Sequence, residues 1–189
     1  MSAFHFWVRV RRYQNFNLCV LIAVLAVWSW GCATEQHRGT GHFHARSIQV
    51  LNALRDGINS HYGFREGVPR VNLGPCGRVA RDFRAQWNER FDEKINVVFV
   101  MSPDGSECYH VLVKLPDGNY FDGGNGVMEE KDLLSHYPDG HIEEMKDFDF
   151  KLLDKRSYGL GRTYPVCPSY SDAMTRELIT RYLGRLADR

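Results

Sequence analysis

Three residues that together could perform thiol chemistry follow one another along the chain: Cys76, His110 and Asp122. Cys76 immediately precedes a predicted helix, where the helix dipole and the unpaired backbone N–H groups favour a thiolate. A histidine can accept the thiol proton, and a carboxylate can orient the imidazole. If the three side chains converge, we expect Cys76 to be a nucleophile, His110 its base and Asp122 the orienting acid.

The elements that must position these residues are a helix and a β-meander. The helix begins after Pro75 and is indicated by apolar residues at helical spacing, Val79, Phe83 and Trp87. Strands are predicted over 95–101, 108–115 and 119–122. We expect the aromatic side chains in this region to belong to the core rather than to contact substrate: Trp87, Tyr109 and Phe121.

Two connections in the meander have the same sequence, Pro103-Asp104-Gly105 and Pro116-Asp117-Gly118. Pro-Asp-Gly fits a three-residue hairpin loop, in which a type I turn is followed by Gly in the left-handed region. With residues 116–118 as the loop, Leu112 faces Asp122, and His110 is diagonal to Asp122 on the same face. We expect this face to cover the Cys76 helix. The opposite face, which should pack against other segments, carries Tyr109, Val111 and Val113.

Helices are also predicted on both sides of this region. Ser47 is the expected N-cap of a helix that ends at Gly63, and Ser171 or Asp172 the expected cap of a last helix that runs to about residue 186. A short helix near 131–134 and a strand near 148–153 are predicted between them, and residues 64–74 are expected to be a loop.

A helix with a leading cysteine, followed by strands that carry His and Asp, resembles the core of the papain-like superfamily. That superfamily includes papain-type peptidases, transglutaminase-like proteins and NlpC/P60 cell-wall peptidases. The resemblance covers about residues 72–126 and rests on Pro75-Cys76-Gly77, Tyr109-His110-Val111 and Tyr120-Phe121-Asp122-Gly123. It implies an α+β fold in which the Cys-bearing helix packs on an antiparallel β-meander with flanking helices, and a Cys76–His110–Asp122 triad.

One feature of papain differs in this chain. Arg70 stands where papain has the glutamine that stabilises the oxyanion. Asn72, or backbone N–H groups near Cys76, would have to supply that donor.

The N-terminal part of the chain is predicted to direct export. Arginines precede an apolar run at 18–27, so residues 1–33 are interpreted as a signal peptide or membrane anchor, 34–46 as a polar linker and 47–189 as the hydrolase domain. Three fates remain open, namely lipidation of Cys32, cleavage after Ala33 and retention as an anchor. Each exports the domain, as a membrane-anchored lipoprotein or a periplasmic or secreted protein.

Three cysteines follow the predicted leader, and an odd number leaves at least one thiol unpaired in an oxidising compartment. A disulfide between Cys108 and Cys167 would leave Cys76 free. Three free thiols, or a bridge that includes Cys76, are the alternatives.

The composition favours neither nucleic acid nor a cofactor. The chain has 24 Lys+Arg against 23 Asp+Glu without a basic patch, so no nucleic-acid partner is expected. The cysteines lack the paired spacing of a zinc site, and we expect neither a metal nor a cofactor.

Together these features predict an exported thiol-dependent hydrolase or acyltransferase that acts on amide bonds, of peptidase, amidase or transglutaminase/deamidase type. Its substrate would be a protein, a peptide or a peptidoglycan stem, and the N-terminal segment would attach it to the membrane. A non-catalytic cell-surface binding lipoprotein on the same fold is the alternative, and a small structural lipoprotein with all its cysteines in disulfides is a third hypothesis.

Overall fold

The computed structural model describes residues 45–144 and 166–187 of the chain. The predicted leader at 1–33, with Cys32, nearly all of the linker at 34–46 and the strand predicted near 148–153 lie outside the described residues. Within the two described ranges, no helix has both the length and the apolar character needed to cross a membrane.

The described residues form an α+β fold, in agreement with the sequence prediction. Four α-helices are described: α1 over 45–62, α2 over Cys76–Arg90, α3 over Glu130–Ser135 and α4 over Asp172–Ala187. The strands are β1 (Phe64–Arg65), β2 (Val68–Pro69), β3 (Asn96–Met101), β4 (Cys108–Lys114), β5 (Tyr120–Asp122), β6 (Gly126–Met128) and β7 (His141–Glu144). Antiparallel pairing places five of them in one sheet of order β6-β5-β4-β3-β7.

The ends of the outer helices follow local sequence signals. Gly63, at a φ of +74°, ends α1 and donates its N–H to the carbonyl of Asn59 at 2.8 Å. Ser171 caps α4, because its hydroxyl accepts a hydrogen bond from the N–H of Met174 at 3.3 Å. Ser47 was predicted to cap α1, but this prediction was wrong, because Ser47 lies inside that helix.

The segment between α1 and α2 is more ordered than the predicted loop. β1 and β2 pair as a short hairpin, and a turn of 3₁₀ helix at Arg70–Asn72 follows. This hairpin and turn lead the chain into α2.

The sheet has an apolar core on each face, because nearly every residue of β3 is buried. The larger core contains the apolar sides of α1, α2 and α4 together with Val97, Phe99, Val111, Val113 and Phe121. The smaller core lies on the other face and contains Val98, Val100, Leu112, Tyr120 and Leu133.

The hairpin between β4 and β5 has the predicted three-residue loop and register. Leu115 donates its N–H to the carbonyl of Asn119 at 2.8 Å, which leaves Pro116-Asp117-Gly118 as the loop. Gly118 has a φ of +88°, and Lys114 pairs with Tyr120. This register places Asp122 beside the strand that carries His110.

The hairpin between β3 and β4 differs from that prediction by one residue. Ser102 donates its N–H to the carbonyl of Glu107 at 2.8 Å, so four residues, not three, separate the two. Val100 pairs with His110 and Met101 with Cys108, so Tyr109 is the extra residue of a β-bulge.

The prediction of which face covers the Cys76 helix was wrong. Val111 and Val113 belong to the core beneath α2, whereas Leu112 and Val100, the direct partner of His110, belong to the opposite core. The sequence did not distinguish the faces, because β3 is apolar at almost every position and both sides of the sheet are covered.

Candidate active site

His110 and Asp122 form a buried pair. The imidazole Nε2 lies 3.0 Å from Oδ2 of Asp122. His110 is 1% exposed and Asp122 is 4% exposed. A buried charge in a protein is stable only when it is paired and hydrogen-bonded, and here each partner satisfies the other.

The carboxylate of Asp122 accepts several further hydrogen bonds. Its Oδ1 accepts the backbone N–H of Gly124 at 2.7 Å, the backbone N–H of Asn125 at 2.6 Å and the side-chain amide of Asn72 at 3.2 Å. Its Oδ2 accepts the side-chain amide of Asn125 at 3.0 Å, in addition to His110. These donors all favour the ionised carboxylate and fix its plane.

The electrostatics of the pair follow from these contacts. Burial opposes the charged form of Asp122, but the hydrogen bond and charge of His110 and the two backbone N–H groups outweigh it and lower the pKa of Asp122. Burial likewise opposes the charged imidazole, but the interactions with Asp122 and Cys76 raise the pKa of His110 to about 10. The pair is therefore held as imidazolium and carboxylate at neutral pH.

Cys76 is the first residue of α2 and is partly buried against the larger core. Its thiol lies close enough to His110 to contribute to the raised pKa of the imidazole. The other ring nitrogen of His110, Nδ1, is buried and has no hydrogen-bond partner among the described residues. With Nε2 committed to Asp122, Nδ1 is the nitrogen that can exchange a proton with the thiol.

The N-terminus of α2 has no side-chain cap. Pro75 is its N-cap residue and has no side chain that could accept a capping hydrogen bond. The first N–H groups of a helix have no partner within the helix, so those of Cys76 and Gly77 can stabilise a negative oxygen next to the thiol.

Asn72, predicted as an oxyanion donor, also supports the carboxylate, because its side-chain nitrogen donates to Oδ1 of Asp122. An amide nitrogen has two N–H groups, so Asn72 and the backbone at the start of α2 both remain candidate oxyanion donors.

Sequence reasoning missed an aromatic pair beside the site. Tyr137 stacks on His110, with ring centroids 5.8 Å apart and planes at 20°, and Tyr109 stacks on Tyr137 at 6.3 Å and 15°. Trp87 and Phe121 are core residues as predicted, but Tyr109 is 41% exposed. The bulge that displaces Tyr109 depends on one extra loop residue, which repeated Pro-Asp-Gly turns do not reveal.

Cys76, Cys108 and Cys167 are all free thiols, so the expected bridge between Cys108 and Cys167 is absent from the structure. Cys108 lies near the site, and its Sγ donates to the backbone carbonyl of His110 at 3.4 Å. Burial, together with the charge of Cys76, raises the pKa of Cys108 to about 12, which keeps this thiol protonated. Cys167 is fully buried in the larger core.

Over the described ranges, no group of three or more His, Cys, Asp or Glu side chains is arranged to hold a metal ion. The arrangement of Cys76, His110 and Asp122 is compatible with nucleophilic chemistry at Cys76. In comparisons with known proteins, no protein-family profile, no curated protein and no solved structure matches this chain.

Proposed function

We propose that this chain is an exported thiol-dependent hydrolase or acyltransferase that acts on amide bonds through Cys76, His110 and Asp122 on a papain-like core. One observation carries the proposal: a buried His110–Asp122 pair presents an unpartnered Nδ1 beside a cysteine at an uncapped helix N-terminus. Catalytic groups tend to have perturbed pKa values, and those of both His110 and Asp122 are shifted.

The first half of the reaction forms a thioester. His110 holds the proton of the Cys76 thiol, and the sulfur forms a bond to the carbonyl carbon of the substrate. The carbonyl oxygen becomes negative and accepts hydrogen bonds from the N–H groups at the start of α2. The C–N bond then breaks, and the leaving amine takes the proton from His110.

The second half regenerates the thiol. Water, or an acceptor amine in a transfer reaction, attacks the thioester carbon and gives a proton to His110. The C–S bond breaks, and the sulfur recovers that proton as the acid or the new amide leaves. Asp122 stays ionised throughout and keeps the imidazole in one orientation.

The substrate class follows from the predicted location. A domain outside the cytoplasm and attached to a membrane by its N-terminal segment would encounter proteins, peptides and peptidoglycan stems, which all offer amide bonds. Peptidase, amidase and transglutaminase/deamidase activities share the same thioester intermediate.

Acylation by p-nitrophenyl acetate tests the proposal without knowledge of the natural substrate. We expect the purified full chain to release a burst of nitrophenolate stoichiometric with protein, and peptide mass spectrometry to locate the acetyl group on Cys76. The variants Cys76→Ala and His110→Gln should abolish the burst, while Cys108→Ser, a matched change beside the site, should retain it.

The same assay separates the competing functions. Adding a primary amine during turnover should divert the acetyl group to an amide if the enzyme is an acyltransferase, and should change nothing if water alone is the acceptor. An intact protein with free thiols whose Cys76 acylates no faster than Cys108 would contradict the proposal and favour the non-catalytic binding module.

A further inference from the structure

The loop after β5 donates hydrogen bonds to the carboxylate of Asp122, and α1 in turn contacts this loop. The side-chain amide of Asn59, on α1, donates to the carbonyl oxygen of Gly124 at 2.8 Å. The N–H of the same peptide group belongs to Asn125, and it donates to Oδ1 of Asp122 at 2.6 Å. A trans peptide is planar, and its C=O and N–H point in opposite directions. The bond from Asn59 therefore sets the direction in which that N–H points.

Two other side chains of α1 contact the following peptide groups. Arg55 donates to the carbonyl of Asn125 at 3.4 Å, and Asn52 accepts the N–H of Val127 at 3.0 Å. Positions 52, 55 and 59 fall on one side of a helix, so α1 presents a polar row to this loop. Among these contacts, the one from Asn59 reaches a peptide that itself donates to Asp122.

The surroundings of Asn59 show which end of its amide acts here. Its Oδ1 is buried and accepts no hydrogen bond from the residues that the structure describes. The bond to Gly124 is thus the contribution of the amide to this region, and Gly124 is itself buried. A hydrogen bond in such surroundings polarises the peptide that accepts it and strengthens the bond that the same peptide donates.

We infer that Asn59 is a positioning residue for the thiol chemistry, acting through the Gly124–Asn125 peptide to keep the carboxylate of Asp122 aligned with His110. The inference rests on the proposed function, because it matters only if Asp122 supports His110 beside Cys76. Without Asn59, the Gly124–Asn125 peptide can rotate, and its N–H then no longer donates to the carboxylate of Asp122. The ionised carboxylate becomes less stable, so it stabilises the charged imidazole of His110 less well.

Iodoacetamide is the probe, because it alkylates thiolates and needs no known substrate. The alkylation rate of Cys76 is measured by peptide mass spectrometry in the purified full chain, at a series of pH values. Asn59→Leu removes the donor at similar volume, and Asn59→Asp places an oxygen against the carbonyl of Gly124. We expect Cys76 to be alkylated about tenfold more slowly near neutral pH in both variants, which corresponds to a fall of about one unit in the pKa of His110. The acid side of the rate profile should move to higher pH.

Asn52→Leu is the matched control, because it removes another α1 bond to the same loop that does not pass through Asp122. It should lower the unfolding temperature as much as Asn59→Leu and leave the pH profile of Cys76 at its wild-type position. If Asn59→Leu does not fold, Asn59→Asp carries the test.

The outcomes separate the two levels of the argument. If wild-type Cys76 reacts no faster than Cys108 and Cys167, the proposed function fails, and this inference fails with it. If wild-type Cys76 reacts fast and depends on His110 and Asp122, but the Asn59 variants keep its pH profile, only this inference is overturned. The inference would also be overturned if Asn59→Leu and Asn52→Leu moved the pH profile of Cys76 by the same amount, because Asn59 would then only anchor the loop.

Discussion

Asp122 is the residue that most directly stabilises the charged imidazole of His110, because its carboxylate bonds to His110 and is held in place by backbone N–H groups. Asp122→Asn preserves the shape of the side chain and removes its charge. Although burial lowers the pKa of His110, the hydrogen bond and charge of Asp122 are prominent among the effects that raise it, so the pKa should fall in this variant. We expect alkylation of Cys76 by iodoacetamide at pH 7 to slow by about tenfold or more.

Asp104→Asn is a suitable control for that experiment. Asp104 lies away from the site, in the turn between β3 and β4, where its Oδ1 accepts hydrogen bonds from Ser102 and Ser106. Its removal should cost some stability and leave the rate at Cys76 unchanged. Equal rates in wild type and Asp122→Asn would remove Asp122 from the proposed triad.

The position of Tyr109 was predicted incorrectly, although the strand that contains it, β4, was predicted correctly. It was expected in the core, but the bulge in β4 leaves it exposed and stacked on Tyr137, which in turn covers His110. Tyr109→Ala removes an exposed ring and leaves the buried pair in place. We expect little change in the acylation rate with p-nitrophenyl acetate, and a fall in activity on any larger substrate that contacts this ring. An unfolding temperature several degrees lower would instead assign Tyr109 a structural role.

At the scale of elements, two glycines on either side of β5 should behave differently. Gly118 has a φ of +88°, and no atom in the described part of the chain lies within 4 Å of the point where an added methyl group would stand, so Gly118→Ala strains the backbone without a clash. A methyl group on Gly124 would lie 2.6 Å from both Asn72 and Pro69, so the loop that supports Asp122 would have to move.

The two substitutions therefore make a matched prediction. Gly118→Ala should destabilise the fold by about 1–2 kcal/mol and leave the alkylation rate of Cys76 intact. Gly124→Ala should slow alkylation of Cys76, even at temperatures where circular dichroism shows the domain folded. Loss of Cys76 reactivity in folded Gly118→Ala would mean that the hairpin register, and not the loop after β5, controls the site.

Much of this arrangement of elements could be predicted from local sequence signals. The turn chemistry of residues 116–118 predicted the register that places Asp122 near His110, and helical spacing predicted α2 and α4. The choice of sheet face could not be predicted, because β3 is apolar on both sides. The bond from Asn59 to Gly124 joins positions 65 residues apart, and no local pattern in the sequence indicates it.

At the scale of the whole domain, the buried pair should make stability depend on pH. Although burial opposes its charge, hydrogen bonding lowers the pKa of Asp122, so its contribution is present above its unfolded pKa of about 4 and is lost as pH falls through the folded value. Despite burial, the pKa of His110 is raised to about 10. Its contribution is complete below its unfolded pKa of about 6.5 and is lost as pH rises towards the folded value.

The unfolding temperature should therefore be highest between about pH 4 and pH 6.5 and should decline on both sides. Circular dichroism at a series of pH values measures it. The double variant His110→Gln with Asp122→Asn keeps side chains of similar size that can hydrogen-bond and removes both charges, so its curve should be flatter. Cys108 and Tyr137, whose pKa values burial also raises, remain in both proteins, so the difference between the curves reports the pair together with the part of the Tyr137 shift that the charge of Asp122 causes. Parallel curves would mean that the pair contributes no pH dependence.

The loop after β5 also contains an Asn-Gly sequence, Asn125-Gly126, which is prone to deamidation. The unhindered nitrogen of a following glycine can attack the amide carbon of asparagine, which loses ammonia and hydrolyses to a carboxylate. Here that amide donates to Oδ2 of Asp122 at 3.0 Å, so deamidation would replace a donor with a second negative charge. Like charges at this distance oppose ionisation of both groups. Deamidation of Asn125 is therefore expected to lower the proposed reactivity of Cys76 in protein that is still folded, so the age of a sample should be controlled in every assay of this site.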